Sequence, residues 1–154
     1  MLTYDVELVD LRPQQVAVVH GHVTVAEIPG FLGAAFGEVI QTLSAQGLAP
    51  AGPPFGRFVP VGDGFDVEAG FPATGAVMSA GRVTPAELPG GPTARVMHKG
   101  GYGEVAAAYR AAVEWVDGHG YVATAPPWES YLDEPGVPEP RTEIIFPCQP
   151  FSPN

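Results

Sequence analysis

The chain contains little cysteine and little positive charge. It has one cysteine, Cys148, and seven Lys and Arg residues against 17 Asp and Glu, which gives a formal charge of -10. A lone cysteine cannot form a disulfide within the chain, which is typical of a reducing compartment. Nucleic-acid binding needs clustered basic residues, so no nucleic-acid partner is expected. The acidic balance instead favours neutral or cationic ligands.

Long hydrophobic runs are also lacking. No uncharged apolar segment is long enough to span a bilayer, and residues 1–7 lack the basic and apolar regions of a signal peptide. We therefore expect a cytoplasmic protein without a membrane partner. With 154 residues, of which 45% are hydrophobic, the chain is predicted to fold as one domain, 1–154, with a substantial core.

Signatures of metal and cofactor sites are missing as well. The four histidines show no metal-ligand spacing with cysteine or carboxylate partners: His20, His22, His98 and His119. The segment 100–103 resembles a phosphate-binding loop but lacks the Gly-Lys-Ser/Thr that would follow it. There is no nucleophile elbow and no Cys/His pair. No metal and no cofactor are predicted.

Two segments have the apolar spacing of amphipathic helices, Leu32–Leu43 and Val105–Val116, and glycines follow each of them. Strand patterns surround both helices. The predicted strands are Tyr4–Val9, Val16–His20, Phe55–Val61, Phe65–Phe71, Ala76–Val83, Thr93–His98, Trp128–Leu132 and Thr142–Phe146.

The two halves of the chain repeat each other. One constant offset aligns Phe36 with Tyr109, Gly47 with Gly120, and 53–58 with 126–131. Both segments of the last pair contain two prolines, then an aromatic residue, then a second aromatic residue three positions later. This predicts a duplicated strand-helix-strand-strand unit, with repeat 1 at about 1–75 and repeat 2 at about 76–150. An offset longer by two residues, which fall in the hairpin loop, aligns Glu68 with Glu143, and His20 and His98 fall at similar places in the repeats. This favours structural roles for all four.

The duplicated chain resembles the GyrI-like family of small-molecule-binding domains, which includes the effector-binding part of AraC-type and MerR-type regulators. The resemblance spans essentially the whole chain and rests on these segments: 98–102, 108–109, 120–121, 129–131, 133–135 and 142–144, with 51–55 and 66–71 in the first half. It implies an α+β fold with two units related by a pseudo-twofold. Their antiparallel sheet would carry two helices on one side and a ligand groove between the halves.

The resemblance also implies a ligand site. In multidrug-binding members, a glutamate on the floor of the groove, ringed by aromatic residues, receives flat lipophilic cations, and Glu129 is the matching position here. Its repeat partner is Gly56, so the shared fold does not require a carboxylate there. The candidate ligand-binding aromatics are Trp128, Tyr131, Phe58, Phe55, Tyr109, Tyr102, Phe36 and Trp115. The structural alternative is that Glu129 caps a turn or faces solvent and that the helical aromatics are ordinary core residues.

Hydrolysis is the alternative function. One branch of the family uses Trp and Glu to hydrolyse cyclopropane-bearing alkylators, and Trp128-Glu129 looks like such a pair, with Glu129 as general base. Strict strand alternation would place the two side chains on opposite faces unless a bulge follows Pro127.

A third possibility is a protein-binding role, since the family's namesake acts on DNA gyrase and the loop 133–139 is acidic. The structural alternative for that loop is a solvated turn. The two repeats leave no room for a helix-turn-helix segment. We therefore predict a stand-alone small-molecule-binding protein, and the sequence leaves its oligomeric state open.

Overall fold

The computed structural model describes residues 4–133 and 136–151, with only the backbone of Tyr102. The chain divides into two compact units: unit 1 comprises Met1–Arg12 and Pro89–Asn154, and unit 2 comprises Pro13–Leu88. The elements in chain order are β1 (Val6–Leu11), β2 (Gln14–Val23), α1 (Ile28–Ala45), β3 (Phe55–Val61), β4 (Gly64–Pro72), β5 (Val83–Leu88), β6 (Gly91–Lys99), α2 (Ala106–Gly118), β7 (Tyr121–Ala123), β8 (Trp128–Tyr131) and β9 (Arg141–Pro150).

Unit 2 is a four-stranded antiparallel sheet with the strand order β3-β4-β2-β5, and α1 packs on one face of it. The helix begins at Ile28, before the predicted start at Leu32, because proline is tolerated in a first helical turn and Pro29 occupies that place. The buried core residues of this unit are Ala17, Val19, Val23, Ala35, Val39, Leu43, Val67, Ala69, Phe71 and Val83.

Unit 1 is also antiparallel, with the strand order β1-β6-β9-β8, and the short strand β7 pairs with β9 as well. One face of this sheet packs against α2, and we call it the α2 face. The buried core residues are Ala94, Val96, Ala108, Ala112, Val116, Ile144, Phe146 and Cys148.

The two units exchange their first strands relative to the predicted repeats. Strand β1 pairs with β6 and belongs to unit 1, whereas β5 pairs with β2 and belongs to unit 2. The predicted repeat boundary near residue 75 is therefore not the boundary between the compact units. The predicted strand Ala76–Val83 is wrong, because Ala80 and Val83 exchange backbone hydrogen bonds of 3.0 and 2.9 Å across a tight turn at Gly81. The strand begins only at Val83.

The predicted α+β class with antiparallel strands and two helices is confirmed. Gly47 and Gly120 follow the two helices with φ of 72° and 76°, a left-handed conformation that favours glycine. Ile40 and Val113 belong to the apolar spacing that predicts the buried side of each helix, but they are 46% and 42% exposed. Both occupy the same repeat position, so the buried stripe is narrower than predicted in each helix. Among the described residues, no helix has the length and apolar character needed to cross a membrane.

Candidate functional site

Glu129 lies on the α2 face of unit 1. In the regular pairing of β8 with β9, Glu129 is opposite Ile144, and residues directly opposite in an antiparallel pair share a face. Ile144 is fully buried in the core against α2. The register runs through all four residues of β8 without a bulge, so Trp128 and Ser130 point to the other face. The strand register therefore places the carboxylate of Glu129 on the face of the sheet that packs against α2.

Two tyrosine hydroxyls hold this carboxylate. Tyr109 of α2 donates a hydrogen bond of 2.8 Å to Oε2 of Glu129, and Tyr131 donates one of 3.2 Å to Oε1. Tyr131 reaches it because residues two apart on a strand share a face. Each carboxylate oxygen therefore accepts one phenolic hydroxyl, and both tyrosines were among the predicted site residues.

The electrostatics of this cluster are dominated by burial. Removal from water raises the pKa of Glu129, and the hydrogen bonds from Tyr109 and Tyr131 oppose that shift without cancelling it. Burial and the adjacent carboxylate also raise the pKa of Tyr109, so its hydroxyl remains a donor. None of the ion pairs formed among the described residues involves Glu129. The carboxylate is therefore solvated by neutral hydroxyls.

A polar row crosses the same face beside Glu129. Tyr131 is opposite Thr142 on β9, and Thr142 is opposite His98 on β6. His98 is 1% exposed; its Nε2 donates to the carbonyl of Gly101 at 3.0 Å, and Nδ1 accepts from the hydroxyl of Tyr4 at 2.9 Å. The sequence interpretation missed Tyr4, His98 and Thr142 as neighbours of the site. Strand alternation could have located two of them, because residues two apart on a strand share a face. His98 therefore shares a face with Val96, and Thr142 shares one with Ile144, which is opposite Glu129.

Unit 2 has the same backbone register without the polar groups. Gly56 is opposite Ala69 where Glu129 is opposite Ile144, and Phe58 is opposite Val67 where Tyr131 is opposite Thr142. In the order Tyr109, Glu129, Tyr131, Thr142 and His98, the unit 2 counterparts are Phe36, Gly56, Phe58, Val67 and Gly21. The duplicated scaffold therefore forms without any of the five polar side chains.

The histidine alignment made from the sequence is one residue off. His20 is opposite Glu68 and Met97 is opposite Glu143, so His20 corresponds to Met97 and not to His98. Nε2 of His20 lies 2.6 Å from Oε2 of Glu68, and this contact fits the structural role predicted for that glutamate. For Glu143, burial raises the carboxyl pKa.

Other predicted site residues lie apart from the carboxylate. Trp128 is 4% exposed on the opposite face of its strand, so the Trp128–Glu129 pair does not share one face. Trp115 stacks on His119 with ring centres 4.2 Å apart. The side chain of Tyr102 is outside the described residues.

The three predicted aromatics in the first half belong to unit 2. Phe58 on β3 and Phe36 on α1 both pack against the core of unit 2. The rings of Phe36 and Phe71 meet edge to face, with ring centres 5.6 Å apart. Phe55 is opposite Gly70 and therefore lies on the face away from α1. Phe55 corresponds to Trp128 in register and in burial, which supports packing roles for both.

The acidic loop begins with an ion pair, because Arg141 donates to Asp133 at 2.9 Å. Glu134 and Pro135 are outside the described residues. In the described part of the chain, no three His, Cys, Asp or Glu side chains converge as a metal site would require.

Comparison with known proteins identifies the family. Residues 4–149 match the model of the GyrI-like small molecule binding domain. No curated protein sequence matches the chain.

Several solved structures share the fold. The crystal structure of the EcmrR C-terminal domain has a TM-score of 0.81 at 23% identity over 97% of this chain and 100% of that chain. In an EcmrR–DNA complex the TM-score is 0.83 at 23% identity over 96% of this chain, which spans only 58% of that chain. SAV2435 bound to tetraphenylphosphonium has a TM-score of 0.65 at 16% identity, covering 96% of this chain and 94% of that one. A hydrolase from Listeria innocua has a TM-score of 0.66 at 13% identity, covering 94% and 91%.

These structures are less than 25% identical in sequence to the chain, so their similarity shows the fold alone. The family itself is shown by the match to the family model, which covers nearly the whole chain. The chain belongs to the GyrI-like small molecule binding domain family.

Proposed function

We propose that this protein binds flat, lipophilic, often cationic small molecules on the α2 face of unit 1, with Glu129 as the anionic group that receives the charge. The observation that carries the proposal is the carboxylate held by two tyrosine hydroxyls, at positions where unit 2 has Phe36, Gly56 and Phe58. Because the fold forms without these groups in one unit, their presence in the other calls for a function.

The charge of the ligand follows from the electrostatics of Glu129. Burial penalises the ionised carboxylate, and the tyrosines only partly offset that penalty. A cation would restore the favourable interaction that the carboxylate loses when it leaves water. Two charges 4 Å apart attract by about 4 kcal/mol at an effective dielectric constant of 20, before desolvation of the ligand is subtracted.

The apolar and aromatic character of the ligand follows from what surrounds the carboxylate. Ile144 is opposite Glu129, and the phenol rings of Tyr109 and Tyr131 are part of the cluster. Aromatic faces attract organic cations by about 0.5–2 kcal/mol. The SAV2435 structure of similar fold is bound to tetraphenylphosphonium, which is a lipophilic aromatic cation although it is not flat.

The test is calorimetric titration of wild-type protein and Glu129→Gln with tetraphenylphosphonium and with neutral triphenylphosphine oxide. Glutamine keeps the shape and an acceptor oxygen but removes the charge, so affinity for the cation should fall about 10- to 100-fold, corresponding to about 1.4–2.7 kcal/mol. Affinity for the neutral compound should stay within about twofold. Glu143→Gln is the matched control, because Glu143 is opposite Ser130 and so lies on the other face. Equal affinity of wild type and Glu129→Gln for the cation would refute the proposal.

Hydrolysis of electrophilic cyclopropane-containing compounds remains the second candidate. Its supporting observation is the raised pKa of Glu129, because a carboxylate that binds protons more readily is a better general base. Its proposed partner Trp128 is on the other face of the strand, which weakens the analogy to a Trp–Glu catalytic pair. Incubation with a cyclopropane alkylator, followed by mass spectrometry, should reveal a product heavier by one water. Absence of that product with wild-type protein would exclude this activity for the compound tested.

A further inference from the structure

The α2 face of unit 1 carries a second polar group that the cation-binding proposal does not use. Thr142 is 0% exposed, and its hydroxyl has no hydrogen-bond partner within the part of the chain that the structure describes. Buried polar groups nearly always have a partner, so each exception calls for an explanation. The fully buried Thr93 on β6 shows the usual arrangement, because its hydroxyl donates to the carbonyl of Gly91 at 3.0 Å.

The cross-strand neighbours of Thr142 are engaged with other groups. Tyr131 on one side donates its hydroxyl to Glu129, and His98 on the other side uses both ring nitrogens, for Tyr4 and Gly101. The unsatisfied hydroxyl therefore lies in the polar row next to the carboxylate.

Unit 2 shows that the fold does not need this hydroxyl. The counterpart of Thr142 in register is Val67, which is 1% exposed and has nearly the same shape. Valine at this position would avoid the cost of burying an unpaired hydroxyl. Threonine in unit 1 thus resembles the tyrosines and the glutamate around it: a polar side chain where the sister unit has an apolar one.

We propose that Thr142 is a second polar anchor of the Glu129 site, which selects lipophilic cations carrying a hydroxyl group. The inference rests on the proposed function and deepens it. Glu129 is opposite Ile144, so Thr142 is its diagonal neighbour, and diagonal cross-strand neighbours lie about 7–8 Å apart. The preferred ligand therefore has its hydroxyl about one aromatic ring away from its positive centre.

Binding of such a ligand requires Tyr131 to move. The hydrogen bond from Tyr131 to Glu129, at 3.2 Å, is longer than the 2.8 Å hydrogen bond from Tyr109, so it is the weaker of the two and breaks more easily. A cation that approaches Oε1 of Glu129 replaces this bond, and the displaced phenol opens the way to Thr142 across the strand pair. Tyr109 keeps the carboxylate in place during the exchange.

The test compares tetraphenylphosphonium with (3-hydroxyphenyl)triphenylphosphonium, which share the charge and differ by one hydroxyl. Wild-type protein should bind the hydroxylated ion about 10-fold more tightly, as expected for one added hydrogen bond at a buried site. Thr142→Val should remove this preference and leave tetraphenylphosphonium affinity within about twofold. Thr93→Val is the matched control and should retain the preference. Thr142→Ser keeps the hydroxyl and should retain most of it.

Several outcomes would overturn the inference. Equal affinity of the wild type for both ions would do so, as would a preference that survives in Thr142→Val. If Thr142→Val melts at a higher temperature with unchanged affinities, the hydroxyl is an idle polar group. If Thr142→Val removes the preference while Glu129→Gln leaves tetraphenylphosphonium binding unchanged, Thr142 does bind the ligand hydroxyl, but the proposed cation site at Glu129 is wrong. The two proposals therefore fail separately.

Discussion

Replacement of Tyr109 by phenylalanine is expected to lower the stability of the protein at neutral pH more than at acidic pH. The substitution removes the 2.8 Å hydrogen bond to Glu129 and leaves the ring in place. Phenylalanine fits such a position, because Phe36 is its repeat counterpart in α1 and packs in the core of unit 2. The variant therefore isolates the hydroxyl from the packing of the ring.

The magnitude depends on the protonation state of Glu129. A hydrogen bond to an ionised group contributes about 1.5–3 kcal/mol, and a bond between neutral groups contributes about 0.5–1.5 kcal/mol. Burial raises the pKa of Glu129 in the folded protein above that in the unfolded chain. The stability that protonated Glu129 contributes is then fully present below the unfolded pKa of about 4.3, and it is lost as pH rises through the folded pKa. Removing the hydroxyl of Tyr109 should raise that folded pKa further, by about one unit for each 1.36 kcal/mol by which the hydroxyl stabilises the ionised carboxylate more than the protonated one.

Urea unfolding of wild type and Tyr109→Phe at pH 4 and pH 8, followed by circular dichroism, measures the difference directly. We expect a loss of about 0.5–1.5 kcal/mol at pH 4 and about 1.5–3 kcal/mol at pH 8. Carbon-13 NMR titration of the Glu129 carboxyl, assigned with Glu129→Gln, should show the higher pKa in the variant. A loss equal at both pH values, together with an unchanged carboxyl pKa, would refute the role assigned to this hydroxyl.

Two further predictions concern the ion pair at the acidic loop and the close strand packing in unit 2. Arg141 holds the pKa of Asp133 at about 2, chiefly through its side-chain hydrogen bonds and secondly through its backbone N–H. In Arg141→Leu, which keeps the backbone N–H, NMR titration should find the pKa of Asp133 raised but still below the ordinary value of about 3.9, and a value that stays near 2 would exclude the Arg141 side chain as the main cause. A Cβ on Gly70 would lie 1.8 Å from the carbonyl oxygen of Ala17, so Gly70→Ala should cost more than about 3 kcal/mol in urea unfolding. Gly30→Ala is its control, because a Cβ on Gly30, inside α1, meets nothing within 4 Å and should be neutral or stabilising by up to about 1 kcal/mol; similar effects of the two substitutions would contradict the packing argument.

The local elements were predictable where a pattern repeats along the sequence. Phe55–Val61 is a strand with the predicted bounds, and the apolar spacing located both helices. The failure at Ala76–Val83 arose because its apolar residues resemble a strand, while a tight turn before Val83 delays the strand. The exchange of β1 and β5 was also missed, because pairing partners far apart in the chain leave no trace in local periodicity.

The site was predictable in part, through comparison of the repeats. That comparison singled out Glu129 against Gly56, and the structure adds Tyr109 and Tyr131 as its hydrogen-bond donors. The strand alternation that made the Trp128–Glu129 pair doubtful holds, since β8 has no bulge. Thr142 escaped notice because a threonine in a strand attracts no attention until the burial and the hydrogen bonds of its neighbours are known.

The kind of group that holds Glu129 bears on what the site is for. A buried carboxylate serving only stability would be best paired with arginine, which donates two parallel hydrogen bonds and cancels the charge. The surface carboxylate of Asp133 is held in this way, because Arg141 donates from both Nε and Nη2. Glu129 instead accepts from two tyrosines, which reduce the cost of burial and leave its negative charge uncancelled. Under the proposed function, a cation that enters the site would supply the opposite charge that the tyrosines lack, and none of the ion pairs seen among the described residues would have to break first, because none involves Glu129.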